Sequence, residues 1–401
     1  MAQRTRVGSR HVLFAAVALA CSGFAAADEK DAFNVVVGLT ATHEDNLFRG
    51  AALPANAHKS DNVYGANVGL RFDKEYSLQR FQLEATASKY RFDNNSFLNF
   101  SGVNYRGAWL WRVTPRISGV LSASRSETLV PYSDQRNVST AKSTQINENR
   151  QFTFDGELAA AWHVIGGVGQ SRSRNEQPFQ AVGNYVTTGG EIGGKYVTAA
   201  GNSIALVQRE SDGEYEGRSL LFNGAMLDTG FDQSETEARV MWQVSGHSSL
   251  DGRIGYLKRE HDNFGQRNFS GTVGRLDYLW TPTGKLRFNF TAGRNLYSFQ
   301  ETEHSYYVAD TFAIAPSWLL SDKTTLRAKL EHVERDFRGA IPGAVGPLRS
   351  DRTQSVQFGA DWKVTRTGII QGTLSHERRS SNLGGLGYSA NVIGISGQLM
   401  F

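Results

Sequence analysis

One pattern most constrains the fold of this chain. Apolar and polar residues alternate, and the alternation repeatedly ends at a tryptophan beside a short polar turn. Trp111, Trp242, Trp280, Trp318 and Trp362 each stand just before such a turn. Tryptophan favours the membrane–water interface, where its ring contacts lipid and its N–H group meets water. We therefore expect these residues to mark one rim of a membrane barrel. Buried core tryptophans of a soluble all-β protein are the alternative, but that reading gives no reason for their position beside turns.

The last segment of the chain repeats the pattern and ends on an aromatic residue. Its apolar residues alternate with small or polar ones, and the chain terminates at Phe401. A closing strand of this kind is typical of bacterial outer-membrane β-barrels. Mean hydropathy of -0.39 excludes a helical membrane protein with several apolar spans. A barrel strand needs only one apolar face, so its mean hydropathy resembles that of a soluble protein.

The spacing of these signals predicts an all-β, transmembrane, antiparallel up-and-down barrel of about 18 strands. Short turns alternate with longer polar loops, which lie in the periplasm and outside the cell respectively in such barrels. Sixteen strands remain an alternative if the glycine-rich stretch 164–201 is misread. The nine strands that run toward the short turns are expected to end near Phe72, Trp111, Trp162, Tyr196, Trp242, Trp280, Trp318, Trp362 and Phe401. The expected rim consists of Trp111, Trp162, Trp242, Trp280, Trp318 and Trp362.

The segment 1–27 is expected to be a cleaved signal peptide. Three arginines precede an apolar run at 12–20, and small residues at 25–27 offer a cleavage site. Lipidation of Cys21, the single cysteine, is an alternative, although the leucine stands two residues before it rather than three. Loss of the three arginines reduces the net charge from +4 to +1, so nucleic-acid binding gains no support. Residues 28–401 are then expected to form one exported barrel domain in the outer membrane of a Gram-negative bacterium.

The period of two assigns one face of each strand to lipid and the other to the lumen. In the expected strand 151–162, for example, Phe152, Phe154, Leu158, Ala160 and Trp162 share the lipid face. Two interpretations of the lumen charges stay open: ion pairs that stiffen the wall, or a slight excess of cations that attracts anionic solutes. The expected lumen cations are Arg106, Arg112, Lys195, Arg239, Arg253, Arg275, Arg287, Arg327, Lys329 and Lys363, and the acids are Glu84, Asp155, Glu157, Glu191, Asp277, Glu331 and Asp361.

Two longer connections are candidates for constriction or surface recognition. Residues 127–150 carry polar residues and charges of both signs, which suits a solvated loop or one that folds into the barrel. Residues 337–350 are rich in glycine and proline, which disfavours a helix there. A mobile extracellular loop is the default expectation for both segments.

Signals for catalysis or cofactor binding are weak. The nine histidines are scattered, and none pairs with another at a metal-ligand spacing on one strand face. The segment His376 to Asn382 places its serines four and five residues after the histidine, whereas outer-membrane lipases place the serine two residues after it. We therefore expect no enzyme activity, no catalytic residues, no cofactor and no metal.

A short motif follows the expected first strand: Asp45, Asn46, Leu47, Phe48 and Arg49. This segment resembles the opening of a family of outer-membrane proteins encoded with exopolysaccharide synthesis clusters, often called EpsL. The resemblance implies a role in exopolysaccharide export across the outer membrane, and it carries over no catalytic residues. A purely local interpretation places Phe48 in an outer aromatic girdle and lets Arg49 reach a lipopolysaccharide phosphate.

The resulting first hypothesis is a channel or assembly component for exopolysaccharide export. A general or substrate-specific diffusion porin is the second, and a surface scaffold without transport is the third. Expected partners are outer-membrane lipid and lipopolysaccharide, the barrel assembly machinery acting on the last strand, an anionic polysaccharide, and a periplasmic export protein on the tryptophan side.

Overall fold

The computed structural model describes residues 32–50, 53, 56–134, 142–177, 183–217, 221–222, 225–226, 228–299, 304–340 and 346–401. The expected signal peptide and Cys21 lie outside them. Eighteen long strands form one sheet. They are β1 Phe33–Glu44, β2 Asp61–Tyr76, β3 Gln79–Phe92, β4 Phe100–Thr114, β5 Ile117–Leu129, β6 Thr144–Ala159, β7 Trp162–Asn175, β8 Tyr185–Val197, β9 Ser203–Tyr215, β10 Gly230–Ser245, β11 Ser248–His261, β12 Phe269–Thr283, β13 Leu286–Ser298, β14 Tyr306–Ser321, β15 Thr324–Arg338, β16 Ser350–Lys363, β17 Gly368–Ser381 and β18 Tyr388–Met400.

The sheet closes on itself. Each strand pairs antiparallel with its neighbours in sequence, and β1 pairs with β18 over a register from Val36–Met400 to Glu44–Val392. Val35 and Phe401 extend the seam by exchanging two backbone hydrogen bonds of 2.7 and 2.8 Å. Closure leaves no free sheet edge, which is the condition for a β-structure to cross a bilayer. The expected 18-stranded barrel is confirmed, and the 16-stranded alternative is wrong because the glycine-rich stretch holds all but the first two residues of β7 and the whole of β8.

Connections differ strongly between the two ends of the barrel. At one end, tight turns such as 77–78 and 115–116 join β2 to β3 and β4 to β5, and at the other end longer loops such as 45–60 and 130–143 join the strands. We call these the turn end and the loop end. Short 3-10 turns Ser96–Leu98, Tyr132–Asp134 and Gly265–Arg267 lie in the loops, and a small hairpin pairs Leu221–Phe222 with Ala225–Met226. Among the described residues, no helix is long and apolar enough to cross a membrane.

The outer wall carries the apolar faces of the strands. Ile192, Leu206, Ile254 and Phe312 are about 60% exposed on a molecule without lipid. Trp162, Trp242, Trp280, Trp318 and Trp362 are 37–59% exposed near the turn end, whereas the half-buried Trp111 stacks on Phe152 at a centroid distance of 5.7 Å. Exposure of this kind is what a lipid-facing wall requires.

One predicted strand end is wrong. Strand β6 ends at Ala159, and Trp162 is the first residue of β7 rather than the last residue before the turn. Ala160 lies inside the turn with φ +45°. The alanines at 160 and 161 continue the apolar alternation through the turn, so the sequence alone does not reveal the break. Strand β2 likewise extends past Phe72 to Tyr76 before its turn.

Candidate functional site

Most of the expected lumen cations lie within 4 Å of a carboxylate. Their side chains alternate along the strands with the exposed apolar residues, so they point away from lipid. The pairs are Arg106–Glu84 at 2.9 Å, Arg239–Glu191 at 2.6 Å, Arg253–Glu237 at 2.8 Å, Arg275–Asp277 at 2.5 Å, Arg327–Asp361 at 2.5 Å, Lys329–Glu331 at 2.7 Å and Lys195–Asp155. Glu157 pairs with Arg116 at 3.7 Å. Within the part of the chain that the structure describes, Arg112, Arg287 and Lys363 make no ion pair, and all three stand near the turn end.

A denser charge network covers β8 to β11, and we call it the lumen network: Glu191, Arg209, Glu235, Glu237, Arg239 and Arg253. Arg209 reaches Glu191 at 2.8 Å and Glu235 at 3.1 Å. Glu237 accepts from both Arg239 and Arg253, and it is only 1% exposed. Three glutamates thus neutralise three arginines on adjacent strands. Sequence reasoning missed Arg209, Glu235 and Glu237, although each has the same strand parity as its partners.

A second cluster lies at the loop end and has no counterpart in the sequence predictions. Asp134, in the β5–β6 loop, accepts hydrogen bonds from Arg349 at 2.5 Å and from Arg379 at 2.8 Å, and Arg335 stands at 3.4 Å. Asp351 also accepts from Arg349, at 2.6 Å. The Arg349 and Arg379 side chains are 2% and 1% exposed. We call Asp134 and these four wall residues the loop latch.

The loop latch spans the mouth of the barrel. Asp134 follows β5, whereas its arginines come from β15, from the residue before β16, and from β17. Five strands separate β5 from β17 along the shorter arc of the closed wall. A contact between them therefore reaches across the opening rather than along the wall. The expected connection 127–150 is shorter than predicted, because residues 127–129 end β5 and residues 144–150 begin β6. Of the two expectations for this connection, a loop that folds over the lumen agrees with the contact; residues 135–141 lie outside the described chain.

Electrostatics favour the charged form of Asp134. Burial by itself would raise the pKa of this carboxyl, but the guanidinium groups of Arg335, Arg349 and Arg379 together outweigh burial and lower the pKa below its ordinary value. Asp134 is thus a carboxylate at neutral pH. The three arginines and Asp351 together have a net charge of +2, so a net charge of +1 remains after Asp134 is included.

The five-residue motif after β1 packs the loops of the mouth together. Phe48 is 0% exposed and contacts Tyr132, two residues before Asp134, at a centroid distance of 5.0 Å. Arg49 pairs with Glu44, and it lies 3.5 Å from Glu377. The placement of Phe48 in an outer aromatic girdle is therefore wrong, because the ring is buried in a cluster with Phe92, Leu98 and Tyr132. Arg49 binds carboxylates of this chain rather than a lipopolysaccharide phosphate.

The other motif residues anchor the same loop to β18. The Asn46 side chain donates to the carbonyl of Ser389 at 2.8 Å, and Asp45 accepts from the backbone N–H of Asn391 at 2.7 Å. Leu47 packs against the buried cluster. The segment that carried the resemblance to exopolysaccharide-cluster barrels thus has a structural use at the barrel seam.

Comparison with solved structures finds the same architecture. The outer membrane protein OpdK from Pseudomonas aeruginosa matches with 11% identity over 94% of this chain and 100% of that chain, at a TM-score of 0.50. OccK2 (OpdF) from the same organism, solved in complex with glucuronate, matches with 9% identity over 94% and 100%, also at 0.50. OpdK has also been solved with vanillate. The chain has the fold of an outer-membrane porin.

Comparison by sequence matches a smaller part of the chain. A family described as "Putative beta-barrel porin 2" matches residues 233–400, which run from β10 to the end of β18. A search of curated proteins finds no significant match. Neither the family nor the structural neighbours supports exopolysaccharide export, and the porin hypothesis fits both better.

Proposed function

We propose that this porin-like barrel is an outer-membrane channel for small organic anions, with carboxylates as the preferred solutes and the loop latch as the selective element at its mouth. Its fold is that of outer-membrane proteins from a Gram-negative bacterium, which supports the same location here. Barrels of 16 to 18 strands are too wide for side chains to fill, so an aqueous path or a lumen blocked by loops follows from the strand count.

The observation that carries the proposal is the convergence of Arg335, Arg349 and Arg379 on one carboxylate. Arginine presents its donors in a planar fork that matches a carboxylate, which makes it the side chain of choice for such anions. The three arginines and Asp351 retain two positive charges when Asp134 is not counted. A solute carboxylate that takes the place of Asp134 meets donors already arranged for its chemistry.

The lumen beyond the mouth is compatible with passage of such solutes. The lumen network is neutral in sum, so it neither traps an anion nor repels it strongly. Arg112, Arg287 and Lys363 near the turn end supply positive charge toward the exit, where it attracts anions along the path. Glucuronate and vanillate, the compounds solved with OccK2 and OpdK, are both carboxylates, which agrees with this substrate class.

Partners are a separate part of the proposal. Lipid and lipopolysaccharide would surround the apolar wall, and the assembly machinery would act on β18. A cavity of about 400 Å³ at the turn end, lined in part by His247, Lys285 and Arg287, is where a periplasmic protein would dock. These contacts stay predictions.

The test is reversal-potential measurement on the refolded barrel in planar bilayers under a salt gradient. We expect anion selectivity, and we expect liposomes that contain the barrel to admit glucuronate faster than glucose, which has similar size and no charge. Cation selectivity, or equal entry of the two sugars, would contradict the proposed substrate class. A folded barrel without conductance in any condition would contradict the channel itself.

A further inference from the structure

Two four-stranded segments of the barrel repeat each other. Strand β2 begins at Asp61 and β10 at Gly230, and every bound of β2 to β5 recurs in β10 to β13 at this same offset in sequence number. The 3-10 turns Ser96–Leu98 and Gly265–Arg267 follow the same rule. Identical residues at this offset include Asp93 and Asp262, Asn94 and Asn263, Asn99 and Asn268, Phe100 and Phe269, Arg106 and Arg275, and Trp111 and Trp280.

The β3–β4 and β11–β12 loops of the two copies are built by the same hydrogen bonds. The Asn99 side chain accepts from the N–H of Phe92 at 2.7 Å, and Asn268 accepts from the N–H of His261 at 2.8 Å. An aspartate at the start of the preceding hairpin holds each loop, although the two aspartates are not at the repeat offset. Asp61, the first residue of β2, accepts from the N–H groups of residues 94 and 95, and Asp228, two residues before β10, accepts from those of residues 263 and 264.

Between residues 92 and 99 the two copies differ at five positions, and two of these differences replace a buried apolar side chain with a charged or polar one. In the first copy Leu98 and Phe92 are buried, and Phe48 and Tyr132 from neighbouring loops pack against them. In the second copy the equivalent residues are Arg267 and His261, which are 0% and 8% exposed. A closed apolar contact has thus been replaced by a buried cation and an imidazole.

Neither replacement side chain makes a hydrogen bond within the described residues, although the backbone N–H of His261 donates to Asn268. All three guanidinium nitrogens of Arg267 and both ring nitrogens of His261 are buried without one. Asp228 is close enough to act on Arg267 through its charge, but the two make no ion pair within 4 Å, and the Asp228 oxygens already accept from residues 229, 263 and 264. Phe264 lies under the guanidinium, whose carbon is 5.4 Å from its ring centroid.

A buried guanidinium without a hydrogen-bond partner, such as that of Arg267, lowers the stability of the folded state. Taking a cation out of water is unfavourable even after relaxation, and an unpaired buried donor adds to that cost. The first copy avoids both penalties with leucine and phenylalanine in the same backbone. Arg259, which is also buried, cannot offset the charge of Arg267 because it is itself a cation. Its side chain already donates to Gln233 at 2.7 Å.

We propose that Arg267 and His261 form a binding site for an oxyanion, a carboxylate or phosphate group, at the β11–β12 loop. The guanidinium supplies charge and paired donors, and the imidazole supplies a further N–H. The site is separate from the loop latch, which involves β15 to β17. It does not depend on the proposed channel function, because an anion held here would stabilise the barrel whether or not solutes pass through it.

The experiment measures the thermal unfolding midpoint of the refolded barrel in sodium chloride, acetate or phosphate at equal ionic strength. We expect a saturable rise of the midpoint with acetate or phosphate, since a ligand that binds only the folded state stabilises it in proportion to ln(1 + [L]/Kd). The anion effective at the lower concentration identifies the source, an organic acid for acetate or a phosphate-bearing group for phosphate.

Arg267→Leu, which restores the residue of the first copy, is expected to remove the anion dependence. Arg366→Leu is the matched control, because Arg366 is an exposed arginine between β16 and β17 without an ion pair in the described chain, and it should keep the dependence. Equal midpoints for the wild-type barrel in all three salts would overturn the proposal, as would an unchanged dependence in Arg267→Leu. If that variant does not refold, Arg267→Lys, which keeps the charge and loses the fork, should raise the half-saturating concentration.

Discussion

The Oδ1 atom of Asp134 lies 2.5 Å from an Nη atom of Arg349, a residue 215 positions further along the chain. The contact couples a loop that leaves β5 to the wall on the far side of the mouth. Because Arg335 and Arg379 share the same carboxylate, one side chain holds the loop against β15, β17 and the residue before β16. Asp134 is thus the acid through which the loop contacts the far wall.

Replacement of Asp134 by asparagine is expected to release the loop. The variant loses charge-assisted hydrogen bonds to two fully buried arginines, and each such bond contributes roughly 1.5–3 kcal/mol. We expect the ratio of open to closed time in single-channel recordings to rise at least about tenfold, which corresponds to about 1.4 kcal/mol. Asp73→Asn is the control: Asp73 pairs with Arg80 at 2.8 Å, but near the turn end. Equal effects of the two substitutions would argue against a latch.

The latch is expected to resist mild acid. The pKa of Asp134 is lowered in the folded protein, so its contribution is fully present above the ordinary value of about 3.8 and is lost only as the pH falls through the lower folded value. Open probability should therefore stay constant between pH 7 and pH 5 and rise only below about pH 4. Opening near pH 6 in the wild-type barrel would show that another group controls the loop.

Glu237 is expected to be the most costly acid to remove from the lumen network. Glu237→Gln leaves Arg239 and Arg253 without their shared buried carboxylate, and breaking a buried ion pair costs about 3 kcal/mol. Glu331→Gln removes the partner of the more exposed Lys329 and should cost less than about 1 kcal/mol. Urea titration of both refolded variants, followed by tryptophan fluorescence, measures the difference. Comparable losses would mean that the network does not act as a unit.

Adjacent glycines of β8 provide a test of the wall geometry. A Cβ at Gly193 would overlap the carbonyl oxygen of Leu206 on β9, whereas one at Gly194 meets nothing within 4 Å. Gly193→Ala is expected to destabilise the barrel by about 1–3 kcal/mol, the usual cost of overpacking. Gly194→Ala should be near neutral. The same urea titration applies, and a Gly193→Ala variant as stable as the wild type would contradict the close approach of β8 to β9 at this position.

Much of the fold was predictable because a barrel strand carries its own signal. Period-two alternation and the tryptophans beside turns sufficed for the strand number, the two unlike ends and the closing strand. Trp162 was misplaced because alanines at 160 and 161 do not interrupt the alternation. The repeat of β2 to β5 in β10 to β13 is also visible in the sequence, and a comparison of the chain with itself would have found it.

The mouth was not predictable in the same way. Asp134 and Arg379 are 245 residues apart, and no local pattern indicates that a loop after β5 meets strands at the opposite wall. The local interpretation of the motif placed Phe48 in the outer aromatic girdle, but here it is buried under neighbouring loops. Tertiary contacts between loops determine both outcomes, and such contacts leave no periodicity in the sequence.

The seam between β1 and β18 has a consequence for biogenesis. Val35 and Phe401 join the two extremes of the strand order, so the circle cannot be completed until the final strand has been delivered. Until then, the preceding strands would present two open edges, and open edges invite pairing with foreign strands. Whatever machinery receives this chain must therefore shield both edges throughout insertion, and removal of the last strand should yield aggregation rather than a smaller pore.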